Sequence, residues 1–123
     1  MTPPGEGRLG HHELCFGCGR TNLFGLLAEL EQTAPGMVSG RCFIKQDHQG
    51  PEPGTAHPGV IAAALIEAMS LAGAGDLSAT EVRIEAAAPV GVFVELHASR
   101  EAATATVEGR QVASARTLRD SPV

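Results

Sequence analysis

The stretch HQGPEPGTAHPGVIAAALIEAMSLAGAG, residues 48–75, decides the fold. From Pro58 onward its only ionisable residue is Glu67 and its only other polar residue is Ser70. A helix over this part is apolar nearly all round, which is typical of a helix buried in a core. Pro58 suits the first helical position, where an N–H would be unpaired anyway, and glycines mark the end. The rest of the chain is therefore expected to wrap this helix.

The composition limits both the core and the partners. The chain has 123 residues, enough for one domain, and 43% of them are hydrophobic but only 3% aromatic, so the core is expected to be aliphatic. The net charge of −5 comes without a Lys/Arg cluster, which argues against nucleic acid or an anionic membrane as partner. The helical stretch is marginal in length for a bilayer and carries an acid, which favours a core helix over a membrane span.

The ends and the cysteines indicate a small intracellular domain. No apolar run follows a basic segment at the N-terminus, so no signal peptide is predicted and the cytoplasm is the expected compartment. We expect a flexible leader over residues 1–14, a single domain over 15–119 and a tail over 120–123. Three cysteines, an odd number, indicate thiols rather than a disulfide framework.

Alternation of apolar and polar residues predicts six strands. They cover residues 26–32, 37–46, 81–88, 92–100, 102–107 and 111–118. The break at Ala34-Pro35-Gly36 predicts a hairpin of the first two, and Glu108-Gly109 fits a two-residue turn between the last two. Strands on both sides of one apolar helix predict an α+β fold, an antiparallel sheet curled around the helix. One helix cannot cover both faces of a sheet, so a homodimer or tetramer is expected.

Short motifs accompany this pattern in a fixed order. They are Cys15-Phe16-x-Cys18-Gly19-x-x-Asn22-x-x-Gly25-Leu26, His48-Gln49-Gly50, and His57-x-Gly59 before an apolar helix with an acid. With these motifs the chain, from Cys15 to about Leu118, resembles the hotdog-fold thioesterases of the phenylacetyl-CoA type. The resemblance implies a hotdog fold and hydrolysis of a small or medium acyl-CoA thioester at a dimer-interface site. No phosphate-binding loop is present, and no cofactor is expected.

Two positions depart from the family's motif. The family has His-Gly-Gly at the helix start, where the N–H of the first Gly polarises the thioester carbonyl, and this chain has Pro58 there, without an N–H. The family's acid typically follows nine residues after the motif His, and that position is Ile66. Glu67 comes next, but one residue is about 100° around a helix, so its side chain does not simply point where the family's acid points.

The resemblance nevertheless suggests a catalytic set. Glu67 is the candidate general base, a desolvated carboxylate that activates water, and the alternative is an acid held by a polar partner or at a dimer interface. The N–H groups of Gly59 and Val60 are the candidates to replace the missing donor. Asn22 would hold the attacking water, or it only tolerates the backbone angles of a turn.

Each of the other candidate site residues has a structural role as the alternative to a functional one. His57 would orient a carbonyl, although positioning of the loop is the favoured role. His48 and Gln49 would border the substrate channel, although bonds that stabilise a turn are favoured. Ser70 would supply a hydroxyl to the site or bond back to a carbonyl of its own helix.

The remaining motifs bear on a metal site and on three candidate functions. His11, His12, Cys15 and Cys18 have spacings suited to zinc, but no second C-x-x-C or H-x-x-x-H follows, so no metal site is expected. The functions are an acyl-CoA thioesterase, a hotdog protein that binds acyl-CoA or serves as a dimeric scaffold without hydrolysis, and a hydroxyacyl dehydratase. The dehydratase is suggested by His48, Pro58-Gly59-Val60 and Ile66-Glu67-Ala68-Met69, at shorter spacings than that family has.

Overall fold

The computed structural model describes residues 7–118, so the first six residues of the expected leader and the tail over 120–123 lie outside the described residues. The elements are β1 (Glu29–Ala34), β2 (Met37–Phe43), a 3-10 turn (Gln46–His48), α1 (Pro58–Leu71), β3 (Thr80–Ile84), β4 (Phe93–Ala98), β5 (Ala102–Val107) and β6 (Arg110–Thr117). The strands form one antiparallel sheet in the order β1-β2-β4-β5-β6-β3. This confirms the α+β prediction of a sheet around one helix.

The helix α1 lies against the middle of the sheet. It packs on β2, β4, β5 and β6, and it buries Ile61, Ala64, Leu65, Ala68 and Met69. Because many of the facing residues are alanines, the helix and the strands approach closely. The helix ends at Leu71, earlier than predicted, because the chain reverses at Gly73, whose φ of 103° is readily adopted only by glycine.

The central strands follow the predicted alternation. Val94, Leu96 and Ala98 of β4 are buried toward the helix, whereas Phe93, Glu95 and His97 are exposed on the opposite face. Strand β2 repeats the pattern, with Val38 and Cys42 inward. The Glu108-Gly109 turn is also confirmed, because both residues have the positive φ values, 51° and 81°, of a two-residue hairpin.

Five of the six predicted strands have bounds that differ from the observed ones by one to four residues at an end, and two of them show the physical reason. The first begins at Glu29 instead of residue 26, because Leu27 has a φ of 50° and interrupts the extended backbone. The strand predicted over 81–88 covers Thr80–Ile84, because the N–H groups of Glu85 and Ala86 both donate to the carbonyl of Val112 and end the regular ladder. Strand β3 lies at the edge of the sheet, which leaves Ile84 46% exposed.

The described part of the chain holds no membrane-crossing helix. Within residues 7–118, no helix combines the length and the apolar character that a span requires.

Candidate functional site

Four chemically active side chains meet where the N-terminal segment crosses α1. His11, Cys15 and Cys18 come from that segment and Glu67 comes from the helix, and we call these four residues the His–Cys–Glu cluster. One ligand atom from each of them, a ring nitrogen, two sulfurs and a carboxylate oxygen, lies within 4.8 Å of the other three. The residues come together although 52 positions separate Cys15 from Glu67.

The contacts within the cluster are close. Nδ1 of His11 is 3.0 Å from Oε2 of Glu67, 3.6 Å from Sγ of Cys15 and 3.4 Å from Sγ of Cys18. Sγ of Cys15 is 3.6 Å from Oε1 of Glu67. On the far side of the imidazole ring, Nε2 of His11 lies 3.0 Å from the hydroxyl of Ser70. The ring is therefore held between a helix hydroxyl and the other three members of the cluster.

The backbone around the cysteines is folded tightly. The Gly19 N–H donates to the Cys15 carbonyl at 2.8 Å, and a Cβ at Gly19 would overlap the backbone of Glu13 and Cys15. A Cβ at Gly17 would overlap the Glu67 carboxyl group. Arg8 fastens this turn to the sheet, because its guanidinium donates to the carbonyls of Cys18 and Ala28. Gly19 thus lets the segment fold tightly on itself, and Gly17 lets it approach α1 closely.

Burial sets the chemistry of the cluster. Glu67 is only 8% exposed, and within residues 7–118 its Oε2 has no hydrogen bond of acceptable geometry despite the nearby imidazole. Burial, followed by the hydrogen bond that the thiol donates to Glu67, raises the pKa of the Cys18 thiol to about 12. Burial alone raises the pKa of the Cys42 thiol to about 12, and that residue is an inert part of the core.

The start of α1 uses its own backbone donors. Nδ1 of His57 accepts the N–H of Gly59 at 2.8 Å, and the carbonyl of His57 accepts the N–H of Val60 at 2.9 Å. Pro58 has no N–H. His57 therefore caps the helix, which is the loop-positioning role favoured for it from the sequence.

The other sequence-predicted residues hold turns in this structure. Nδ1 of His48 accepts the N–H of Lys45, so its Nε2 is the donor that contacts the Phe24 carbonyl at 3.0 Å. The side chain of Gln49 accepts the N–H of Gly54 at 2.7 Å. Asn22 donates to the carbonyl of Leu14 and accepts the N–H of Phe24. None of these bonds places the three side chains beside Glu67.

A separate cleft of about 400 Å³ opens beside the N-terminal end of α1, and we call it the helix-entrance cleft. Its lining residues are Pro51, Glu52, Thr55, Ala56, Pro58, Ile61, Ile84, Glu85, Ala86, Ala87 and Ala88. The walls are mostly apolar, and the ionisable residues among them are Glu52 and Glu85. Glu85 accepts hydrogen bonds from Gln111 and Ser114, whereas Glu67 is not in the lining.

The sequence did not pair Glu67 with the cysteines. The C-x-x-C motif and the single acid of the apolar helix were both visible, but nothing in the spacing showed that they meet. His12, which shared the zinc spacing, is not a member of the cluster. Glu52 was missed because an acid in a Gly/Pro loop carries no signal of its own.

Comparison with solved structures settles the fold. At a TM-score of 0.71, 80% of the chain superposes on 58% of the thioesterase superfamily protein RHA08564, with 24% identity. The chain has a hotdog fold. The hotdog sheet and helix also match zebrafish thioesterase superfamily member 2, with 73% and 78% of the two chains covered, 21% identity and a TM-score of 0.60.

A third hotdog structure is the PaaI protein of the E. coli phenylacetic acid degradation operon. It matches at a TM-score of 0.66 and 13% identity, with 73% of this chain and 79% of PaaI covered. No protein-family model and no curated protein sequence matches this chain. At these identities the likeness establishes the fold alone, and it confirms the hotdog fold that the motif resemblance implied.

Proposed function

We propose that this chain is a thioesterase-like hotdog protein that binds an acyl-CoA thioester in the helix-entrance cleft and hydrolyses it slowly. The observation that carries the proposal is the cleft itself, about 400 Å³ with apolar walls, at the N-terminal end of the central helix. Apolar clefts with a few polar groups are the usual ligand sites of proteins. Its size suits a small or medium acyl group.

Slow hydrolysis is expected because the three residues that would act on the thioester, Pro58, Gly59 and Glu67, are poorly placed for it. Pro58 offers no N–H for a thioester oxyanion, and the N–H of Gly59 already donates to His57. The carboxylate of Glu67 lies 3.0 Å from His11 and is not part of the cleft lining. The cleft therefore has room for a thioester but few groups that stabilise its transition state.

A second copy of the chain is the proposed partner. Strand β3 pairs with β6 on one side and forms the edge of the sheet on the other. The cleft is lined by Ile84 and by residues 85–88, which continue from that edge strand. A homodimer joined at this edge would cover Ile84 and close the cleft, in line with the dimer-interface site that the sequence suggested.

The test is a series of acyl-CoA thioesters of increasing chain length. Released CoA is separated by chromatography, because the thiols of the chain itself would consume a thiol reagent, and ligand binding is followed as a rise in Tm. We expect the Tm to rise with small or medium acyl-CoA and turnover to be slow. Ala86→Trp, which fills the cleft, should abolish the rise, and Ala79→Trp, at an exposed position outside it, should not. Absence of any rise in Tm with every thioester would overturn the proposal.

The second candidate is a competent thioesterase in which Glu67 is the general base. It is favoured by the position of Glu67, the acid of the central helix, and by the fold shared with thioesterase superfamily proteins. Glu67→Gln separates the two. This candidate is supported if the parent protein turns over quickly and the variant is at least about 100-fold slower. The expected size follows because general base catalysis contributes about 10²–10⁴-fold to the rate. Slow turnover that the substitution leaves unchanged supports the first proposal.

A further inference from the structure

We propose that the His–Cys–Glu cluster binds one Zn²⁺ ion per chain. The cluster offers four donor atoms, Nδ1 of His11, Sγ of Cys15, Sγ of Cys18 and a carboxylate oxygen of Glu67, all within 4.8 Å of one another. Four protein ligands that include two cysteines are typical of a structural zinc site.

Four distances between the ligand atoms of the cluster are close to the edge lengths of a tetrahedron around a zinc ion. Zinc binds sulfur at about 2.3 Å, nitrogen at about 2.0–2.1 Å and oxygen at about 2.0–2.2 Å, so the edges between ligand atoms come to about 3.3–3.8 Å. Three contacts of the cluster are 3.4, 3.6 and 3.6 Å, which falls inside that range. The fourth, between His11 and Glu67, is 3.0 Å and lengthens slightly around an ion. The other two distances of the six are at most 4.8 Å, so the ligand atoms lie close enough together for one ion to join them.

The ligand types and charges favour Zn²⁺. Thiolate, imidazole and carboxylate in a tetrahedral arrangement suit zinc better than magnesium or calcium, which prefer a set of oxygen ligands. Coordination forms two Zn–S bonds, one Zn–N bond and one Zn–O bond, and the protons of the two thiols pass to solvent. The ion also compensates the buried carboxylate of Glu67, whose Oε2 lacks an acceptable hydrogen bond within residues 7–118.

The surrounding residues already orient the ligands. The hydroxyl of Ser70 contacts Nε2 of His11 at 3.0 Å, which is the outer contact that holds a zinc-binding imidazole by its second nitrogen. The backbone N–H of His11 donates to Sγ of Cys18 at 3.1 Å. Gly17 leaves room for the carboxyl group of Glu67, because any Cβ there would displace it.

The site is structural rather than catalytic. The protein supplies all four ligands, so no position is left for a substrate or an activated water. Bound zinc would fasten the N-terminal segment to the middle of α1 through Glu67, and its binding free energy would add to the stability of the fold. This inference is independent of acyl-CoA binding in the helix-entrance cleft, because the cleft contains none of the four ligands. It excludes Glu67 as a general base while zinc is bound.

The test begins with metal content. Protein freed of any histidine tag is reduced, loaded with Zn²⁺, desalted and assayed for zinc by elemental analysis, with one ion per chain as the expected result. Loading with Co²⁺ should give the strong visible bands of a tetrahedral ion and a thiolate-to-metal charge-transfer band. Absence of retained zinc together with a Co²⁺ spectrum that lacks both features would overturn the proposal. A Cys15–Cys18 disulfide that forms under reducing conditions and prevents metal uptake would also overturn it.

Matched variants locate the site. Cys18→Ser and His11→Ala should lower the zinc content from near one per chain to background. Cys42→Ala, a buried cysteine outside the cluster, and His12→Ala, the neighbouring histidine, should keep it. Equal zinc content in Cys18→Ser and Cys42→Ala would contradict the assignment. If a cluster variant does not fold, the Co²⁺ spectrum of the unaltered protein still decides, because it reports the thiolate ligands directly.

Discussion

Nδ1 of His11 lies 3.0 Å from Oε2 of Glu67, where the N-terminal segment meets the central helix. That carboxylate is 8% exposed, and within residues 7–118 its Oε2 accepts no well-formed hydrogen bond. A buried polar atom without a partner costs about 1–3 kcal/mol of stability. The Glu67 carboxylate is therefore expected to lower the stability of the metal-free protein and to raise the stability of the zinc-bound protein.

Glu67→Gln should change stability with opposite signs in the two states. With a chelator present, the variant should be more stable than the parent by about 1 kcal/mol, because it removes a buried charge that lacks full compensation. With zinc, the variant should be less stable than the parent, because a ligand is lost. Urea unfolding in the presence of a chelator and in the presence of zinc measures both changes in stability. Glu29→Gln, a substitution at an exposed side chain, is the control. A change of the same sign in both conditions would contradict the prediction.

Gly17→Ala tests the space beside the carboxyl group. The new Cβ would overlap the side chain of Glu67, so we expect loss of zinc and a destabilisation of about 1–3 kcal/mol. Gly10→Ala is the matched control, because a Cβ there meets Sγ of Cys18 at an ordinary 3.8 Å. It should keep the metal and stay within about 0.5 kcal/mol of the parent. Elemental analysis and urea unfolding of both variants provide the comparison, and retained zinc in Gly17→Ala would count against the cluster.

Ser70→Ala tests the outer contact of His11. The substitution leaves all four ligands in place but removes the hydroxyl 3.0 Å from Nε2 of the imidazole. Loss of such a contact typically lowers metal affinity about 10–100-fold. Competition with a chromophoric chelator measures the affinity, and Ser70→Thr, which keeps a hydroxyl, should restore most of it. An affinity that Ser70→Ala leaves unchanged would show that the contact does not orient the ring.

Pro58→Gly combined with Ile66→Asp should speed thioester hydrolysis. Glycine supplies an N–H at the start of α1, and aspartate places an acid nine residues after His57, the position that the motif resemblance implies. Removal of one oxyanion donor costs about 10²–10³-fold in kcat elsewhere, so we expect a gain of at least about tenfold. Turnover of the best-bound acyl-CoA is the measurement. Ile66→Asn, matched in size and without the acid, is the control, and an equal rate with aspartate and asparagine would refute the role of the acid.

Leu65→Ala should show how much the central helix contributes to the fold. Leu65 is fully buried between α1 and the sheet, and such truncations cost about 2–5 kcal/mol. Leu23→Ala is the control, because that side chain is 78% exposed and should change stability by less than about 0.5 kcal/mol. Urea unfolding in excess zinc keeps the metal state the same for both. Similar losses at the two positions would mean that the helix does not anchor the core.

The local pattern of residues predicted most of the fold. Period-two alternation in β2 and β4 and the apolar run of α1 follow directly from which side chains must be buried, so both could be predicted without a structure. The ends of elements were less predictable. Leu27 and Gly73 end regular structure through positive φ values, and Glu85 and Ala86 do so by sharing one carbonyl acceptor, which depends on a strand far along the chain.

The sequence by itself determined an α+β fold, through one nearly all-apolar helix that had to be wrapped by alternating strands. It also determined that Pro58 withholds a backbone donor, because that is a covalent property of proline. Only the tertiary structure decided the surroundings of Glu67. Helix periodicity gives the face on which a residue lies, but packing of the N-terminal segment across that face brings His11, Cys15 and Cys18 to the carboxylate.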